Sequence, residues 1–88
     1  GFTPMFHGKI TKMSLRSKNP QEAQEKVFLI INKVDKPEYA VTLDTNQTNN
    51  LVDFSSNTLV INENDQIEFS DEKKLQSGAV CQILVERL

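Results

Sequence analysis

The 88-residue sequence predicts an all-β domain: a small antiparallel β-sandwich or jelly-roll-like fold of seven to eight strands. Composition is the first observation. Val, Ile, Phe, Thr and Tyr supply 25 residues and Ala only three, which favours strands over helices. The second is period-two alternation of apolar side chains in most segments, and the third is a polar turn every eight to twelve residues.

The first strand is Lys9-Ile10-Thr11-Lys12-Met13-Ser14-Leu15-Arg16, with Thr11, Met13 and Leu15 on one face and Lys12, Ser14 and Arg16 on the other. Ile10 falls out of phase, and a β-bulge near Thr11 restores it to the core side. Solvent-facing Lys12 and Arg16 suit an edge strand.

Two patterns compete from Asn19 to Val34. Asn19 as a cap, Pro20 at the first helical position, Glu22 in the first turn, and Ala23, Val27, Ile30, Ile31 and Val34 at helical spacing suit a helix. The run Val27-Phe28-Leu29-Ile30-Ile31, β-branched and aromatic, suits a strand buried on both faces. We read a strand from about Lys26 to Val34, preceded by a polar loop with a helical turn at Pro20–Gln24. The alternative helix would make the domain α+β.

Tyr39, Val41 and Leu43 align on the next strand, and Val52 and Phe54 on the strand Leu51–Phe54. Between them Asp44–Asn50 is polar throughout and forms a loop. Thr58–Asn62 and Gln66–Ser70 both alternate, separated by Glu63-Asn64-Asp65, a turn of hairpin length. After a polar Asp71–Ser77 loop, Cys81, Ile83 and Val85 alternate with Gln82, Leu84 and Glu86 in a long last strand. Residues 8–88 read as one domain and 1–7 as a lead-in or tag-derived segment, since the sequence opens on Gly1.

Few chemistries find their residues here, and the chain does not read as an enzyme. His7 is the only histidine and lacks a Gly-x-Ser-x-Gly elbow to serve. With three glycines there is no phosphate-cradling loop. Glu63/Asp65 and Asp71/Glu72 sit in polar turns as solvated charge. Asp44-Thr45-Asn46-Gln47-Thr48 spaces oxygens as a calcium loop does, but Asn49 stands where the glycine belongs and Ser55 where the glutamate belongs. We expect no cofactor and no metal. Asn46-Gln47-Thr48 is a formal glycosylation sequon. Cys81, the only cysteine, reads as a buried small hydrophobe in a protein matured in a reducing cytoplasm. No run approaches the roughly 18 apolar residues of a membrane span.

The net charge of −2 hides an asymmetry: residues 1–36 carry seven Lys/Arg and three Asp/Glu, and residues 37–88 carry three and nine. We expect these opposite charges to meet across paired strands of the one domain. Spread singly, without interleaved aromatics, the basic residues do not suit nucleic-acid binding. A chain this short buries only about 60% of its unfolded surface, and burial against a second copy supplements it. Phe2, Met5 and Phe6 precede the first strand and, with Tyr39, are the candidate oligomer interface. Asp44, Asn46, Gln47, Asn49 and Asn50, with Lys73, Lys74 and Gln76, are the candidate recognition loops.

The segment order resembles the small β-sandwich head or knob domains of tailed-phage fibre, baseplate and head-decoration proteins. The opening Gly-x-Ile-x-x-Ile/Val-Ser-x-Arg pattern is matched by Gly8–Arg16, and an apolar strand running into a turn by Val27–Lys36. Val41-Thr42-Leu43 matches a Val-Thr-Leu strand, Asn64–Phe69 a Gly-Asp-x-Ile-x-Val segment, and Ala79–Leu88 the closing strand. The likeness spans residues 8–88. It departs at the second turn, where Val34-Asp35 replaces Asn-Gly, and at Asn64, where the pattern has Gly. It implies a non-enzymatic virion structural or attachment module, commonly trimeric, assembled in the host cytoplasm. Its partners would be other virion proteins and a host-surface glycan or receptor, with no nucleic acid and no membrane insertion. A carbohydrate-binding or adhesin-type sandwich, stacking sugars on Tyr39 or Phe54, is the alternative. A small α+β regulatory domain follows if Asn19–Val34 is helical.

Overall fold

The computed structural model describes residues 1–71 and 78–88. These form seven strands and no helix: β1 (Gly8–Ser17), β2 (Glu25–Ile31), β3 (Val34–Leu43), β4 (Asn49–Asp53), β5 (Leu59–Ile61), β6 (Ile67–Phe69) and β7 (Ala79–Arg87). All pairings are antiparallel. In one sheet β1 is central, with β7 along one side and β4 and β5 sharing the other; the second sheet runs β3-β2-β6. The two stack as a small β-sandwich whose shortest dimension is 18 Å, the thickness of two sheets and their side chains.

Alternation sends Ile10, Met13, Leu15 and Ile61 from one sheet against Val27, Leu29, Ile31, Tyr39, Val41, Leu43 and Ile67 from the other, all buried. Each such side chain contributes about 1.5–3 kcal/mol by leaving water. The phase break in β1 is real: its register against β7 shifts between Ile10 and Lys12, and the bulge at Thr11 turns both Ile10 and Met13 inward.

Several expectations need correction. Lys12 and Arg16 point outward, but β1 is the middle strand of its sheet and not an edge. The strand expected from Lys26 to Val34 ends at Ile31, because Asn32 and Lys33 form a two-residue hairpin turn and Val34 opens β3. Both turn residues have positive φ, 50° and 67°, as a type I′ turn requires. The Val34-Asp35 position is therefore strand. Pro20–Gln24 holds no helical turn: Gln21 gives its N–H to Gln47 O (3.3 Å), so its hydrogen bonding serves another loop. Without a helix the α+β alternative falls.

Glu63-Asn64-Asp65 is not a hairpin either. β5 pairs with β1 and β6 with β2, so the turn arches from one sheet to the other. Asp65 N donates to Asn62 O (3.1 Å), Asn62 N to Asp65 Oδ2 (2.7 Å), and Asn64 takes φ 71°, a conformation Asn tolerates where Gly is usual. Asn32 ties this arch to the hairpin: Asn32 Nδ2 donates to Asp65 Oδ1 (3.0 Å) and Asn32 Oδ1 accepts from Gln66 N (2.8 Å).

The N-terminal segment is packed into the sandwich. Phe2 and Ile67 exchange two backbone hydrogen bonds of 2.9 Å, which caps the outer edge of β6. Pro4 is buried and its carbonyl accepts from Asn64 N (3.1 Å). Opposite charges of the two halves meet as expected across β1 and β7, Lys9 with Glu86 at 3.9 Å, and Lys33 of the hairpin turn reaches Glu68 of β6 at 3.1 Å.

Candidate functional site

One end of the sandwich gathers the connections β2 and β4 begin from. Ser17, Lys18, Asn19, Gln21 and Glu25 line a shallow depression together with Gly78 and Ala79, the residues that lead into β7. Adjacent to it, Arg16, Ser17, Thr48 and Asn49 border a second one. Residues 44–48 therefore share this end with residues 18–24.

These two connections are tied to each other. Gln21 N donates to Gln47 O (3.3 Å) and Asn46 N to Gln21 O (2.9 Å). Gln24 Nε2 donates to Asp44 Oδ1 (2.7 Å), and Gln21 Nε2 to Ser17 Oγ (2.8 Å). Within 44–48, Gln47 N donates to Asp44 O (3.0 Å) and Asp44 N to the Gln47 side-chain oxygen (2.8 Å). Asn46 supplies the φ of 70° that closes the turn. Ser17 N, donating to Thr48 O (2.8 Å), joins the loop to the β1–β4 ladder. The sequence composition is the cause: a polar loop with nothing to bury meets its backbone and side-chain hydrogen bonds in another polar loop. The product is an ordered polar surface exposing Thr45, Asn46, Thr48 and Asn49.

Of the residues expected in recognition loops, Asp44, Asn46, Gln47 and Asn49 lie together here. Asp44 and Gln47 spend their side chains inside the loop pair, which engages one oxygen of Asp44, the first position of the calcium-like spacing. Asn50 is structural: half-buried, its Nδ2 donates to Thr42 O (2.7 Å) and links the two sheets. Lys73, Lys74 and Gln76 lie outside the described residues. Sequence reasoning missed Ser17, Gln21 and Gln24 as the supports of the loop. The signal was the density of Gln and Asn in both connections, which have no apolar role.

The residues expected at an interface between copies divide. Tyr39 is a correction: only 6% exposed, it is a core residue, packing edge-on against Phe54 with ring centroids 5.2 Å apart. Alternation places it inward with Val41 and Leu43, and a flat stacking platform for sugars goes with it. Phe2, 39% exposed, leans on Phe69 at 6.4 Å, and half-buried Phe6 sits beneath the Arg87 guanidinium at 4.8 Å. Met5, 87% exposed, is the one of the four that stays largely in solvent.

Among the described residues no group of three His, Cys, Asp or Glu side chains gathers into a metal-binding arrangement. His7 is exposed, its carbonyl accepting from Leu88 N (3.0 Å). Hydrogen bonds from Ser55, side chain then backbone, hold the Asp53 carboxyl below its ordinary pKa, with help from Lys12 across the ladder. The backbone of Asn62, then the Asn32 amide, lowers that of Asp65. Cys81 is half-buried, and loss of hydration pushes its thiol up to about 11. Comparison with family models, with curated proteins and with solved structures finds no match to the chain.

Proposed function

We propose that this domain is a non-enzymatic structural or attachment module of a phage-type particle, a fibre-head, baseplate or decoration domain. The observation that supports it is the pair of cross-bonded polar loops, 18–24 and 44–48, held on the end of a rigid sandwich. A preformed polar surface binds without first ordering its loops, and loops on a fixed scaffold are where such folds place recognition. Asn46, Thr48 and Asn49 offer amides and a hydroxyl suited to a glycan or to a neighbouring virion protein. The resemblance implies a trimer, with Phe2, Met5, Phe6 and Tyr39 as its candidate interface. With Tyr39 in the core, Met5 and the exposed part of Phe2 are what remains of that surface.

Immunogold labelling tests the particle assignment. An antibody to the domain should decorate fibre tips, baseplates or capsid surfaces of virions from the source culture, and virions that stay unlabelled while infected-cell lysate reacts would overturn it. For the loops, Asn46→Ala/Asn49→Ala should reduce capture on host envelope polysaccharide or on particles lacking the domain at least tenfold, without changing the circular dichroism spectrum.

A further inference from the structure

We infer that the outer edge of β7 is a pairing surface for a second copy of this chain, joined antiparallel about a two-fold axis so that two sheets become one. The inference stands without the particle assignment.

Backbone alternation identifies what that edge offers. Leu88 N donates to His7 O (3.0 Å), so residue 88 faces β1. Ser17 N donates to Thr48 O (2.8 Å), so Ser17 faces β4, and its neighbour Arg16, paired with Val80, faces β7. Both facts give the same phase: Val80, Gln82, Leu84 and Glu86 complete the ladder to β1. Ala79, Cys81, Ile83, Val85 and Arg87 turn their N–H and C=O groups the other way. Among the described residues nothing pairs with that side of β7.

The remaining sheet edges are blunted. β3 contains Pro37 where its register against β2 breaks; β4 is five residues long, with the Asn50 amide tied to Thr42. β5 is three residues long, and β6 is capped by Phe2. Proline, short length, irregularity and cover are the means by which sheets avoid pairing with other chains. Among the described residues β7 has none of them. It runs nine residues, Ala79–Arg87, and carries no charge before Glu86.

A second copy fits by symmetry and by charge. With Ile83 on the two-fold axis, Gln82 meets Leu84 of the second copy, Cys81 meets Val85, Val80 meets Glu86 and Ala79 meets Arg87. Every outward N–H then finds an outward C=O, and no like charges stand opposite. Along one row of the joined sheet Arg16 and Glu86 of the second copy flank Val80, roughly 10 Å apart at the ordinary strand spacing. The inward side chains gain as well. Cys81, Ile83 and Val85 are only half-buried because their sheet stops at β7, and in the pair they abut Val85, Ile83 and Cys81 of the second copy.

Sedimentation velocity reads the association directly. A single edge-to-edge pairing is a small interface, so the protein should pass from monomer toward dimer as its concentration reaches the order of 100 μM. Gln82→Lys/Leu84→Lys changes two exposed side chains and sets lysine against lysine across the axis; it should stay monomeric with an unaltered far-ultraviolet spectrum. In a Cys81→Ala background, Gln82→Cys mixed with Leu84→Cys should form an interchain disulfide that neither forms alone. A monomer at all concentrations, a trimer, or a dimer undisturbed by the two lysines overturns the inference. Cross-linking of Gln82→Cys alone overturns the register.

Discussion

Thr11 carries a hydroxyl in the wrong place for stability. It is 5% exposed in the β1 bulge, its carbonyl accepts from Phe54 N (2.6 Å), and its Oγ1 is buried with no hydrogen-bond partner among the described residues. Burying an unpaired hydroxyl costs about 1–3 kcal/mol. Thr11→Val keeps the β-branched shape and replaces the hydroxyl by a methyl, so it should stabilise the domain by about 1 kcal/mol or more. At this chain length each kcal/mol moves Tm by about 4–8 °C. Thr11→Ser, which keeps the hydroxyl and loses the methyl, should cost about 1 kcal/mol. Urea titrations followed by circular dichroism measure both against the parent at equal slope. If Thr11→Val lowers the midpoint, the hydroxyl is hydrogen-bonded and the bulge is not the stored cost described here.

Asn32→Ala should destabilise by about 1–3 kcal/mol in the same titration, because it removes two bonds to the arch and leaves alanine at φ 50°. The lowered pKa of Asp65 means that its contribution is full above the unfolded-state value near 3.9 and lost as pH falls through the lower folded value; Asp65→Asn should flatten that acid limb, as thermal melts between about pH 5 and 2 will show. Cys81, with a thiol pushed up to about 11 and half-buried, should react with a disulfide reagent at pH 8 far more slowly than in urea-unfolded protein, and equal rates would contradict the burial.

How far the sequence reveals this molecule depends on whether a feature is local. The Thr11 bulge was legible because Ile10 broke phase within its own strand, and the inward sets Val41/Leu43 and Val52/Phe54 followed from alternation alone. The Asn32-Lys33 turn was hidden by the apolar run before it and by Val34 after it, and Asn-Lys lacks the glycine that marks such turns. The arch at 63–65 has the length of a hairpin. Which sheet each flanking strand joins depends on distant partners in β1 and β2, which a short window does not contain. The loop end of the sandwich was half legible: Asp44–Asn50 read as an exposed loop, but its supports Gln21 and Gln24 come from another connection, at a sequence separation of 20 for Gln24 and Asp44. Tyr39 was misread although its own alternation with Val41 and Leu43 already places it on the core face.

Amide hydrogen exchange along β7, at low and at high protein concentration, tests the central claim most directly. In dilute solution the N–H groups of Gln82, Leu84 and Glu86 should be protected by the β1 ladder and those of Cys81, Ile83 and Val85 should exchange freely. At high concentration the second set should become protected too. Protection of Cys81, Ile83 and Val85 already in dilute monomer, or free exchange at every concentration, would contradict an open edge that pairs with a second copy.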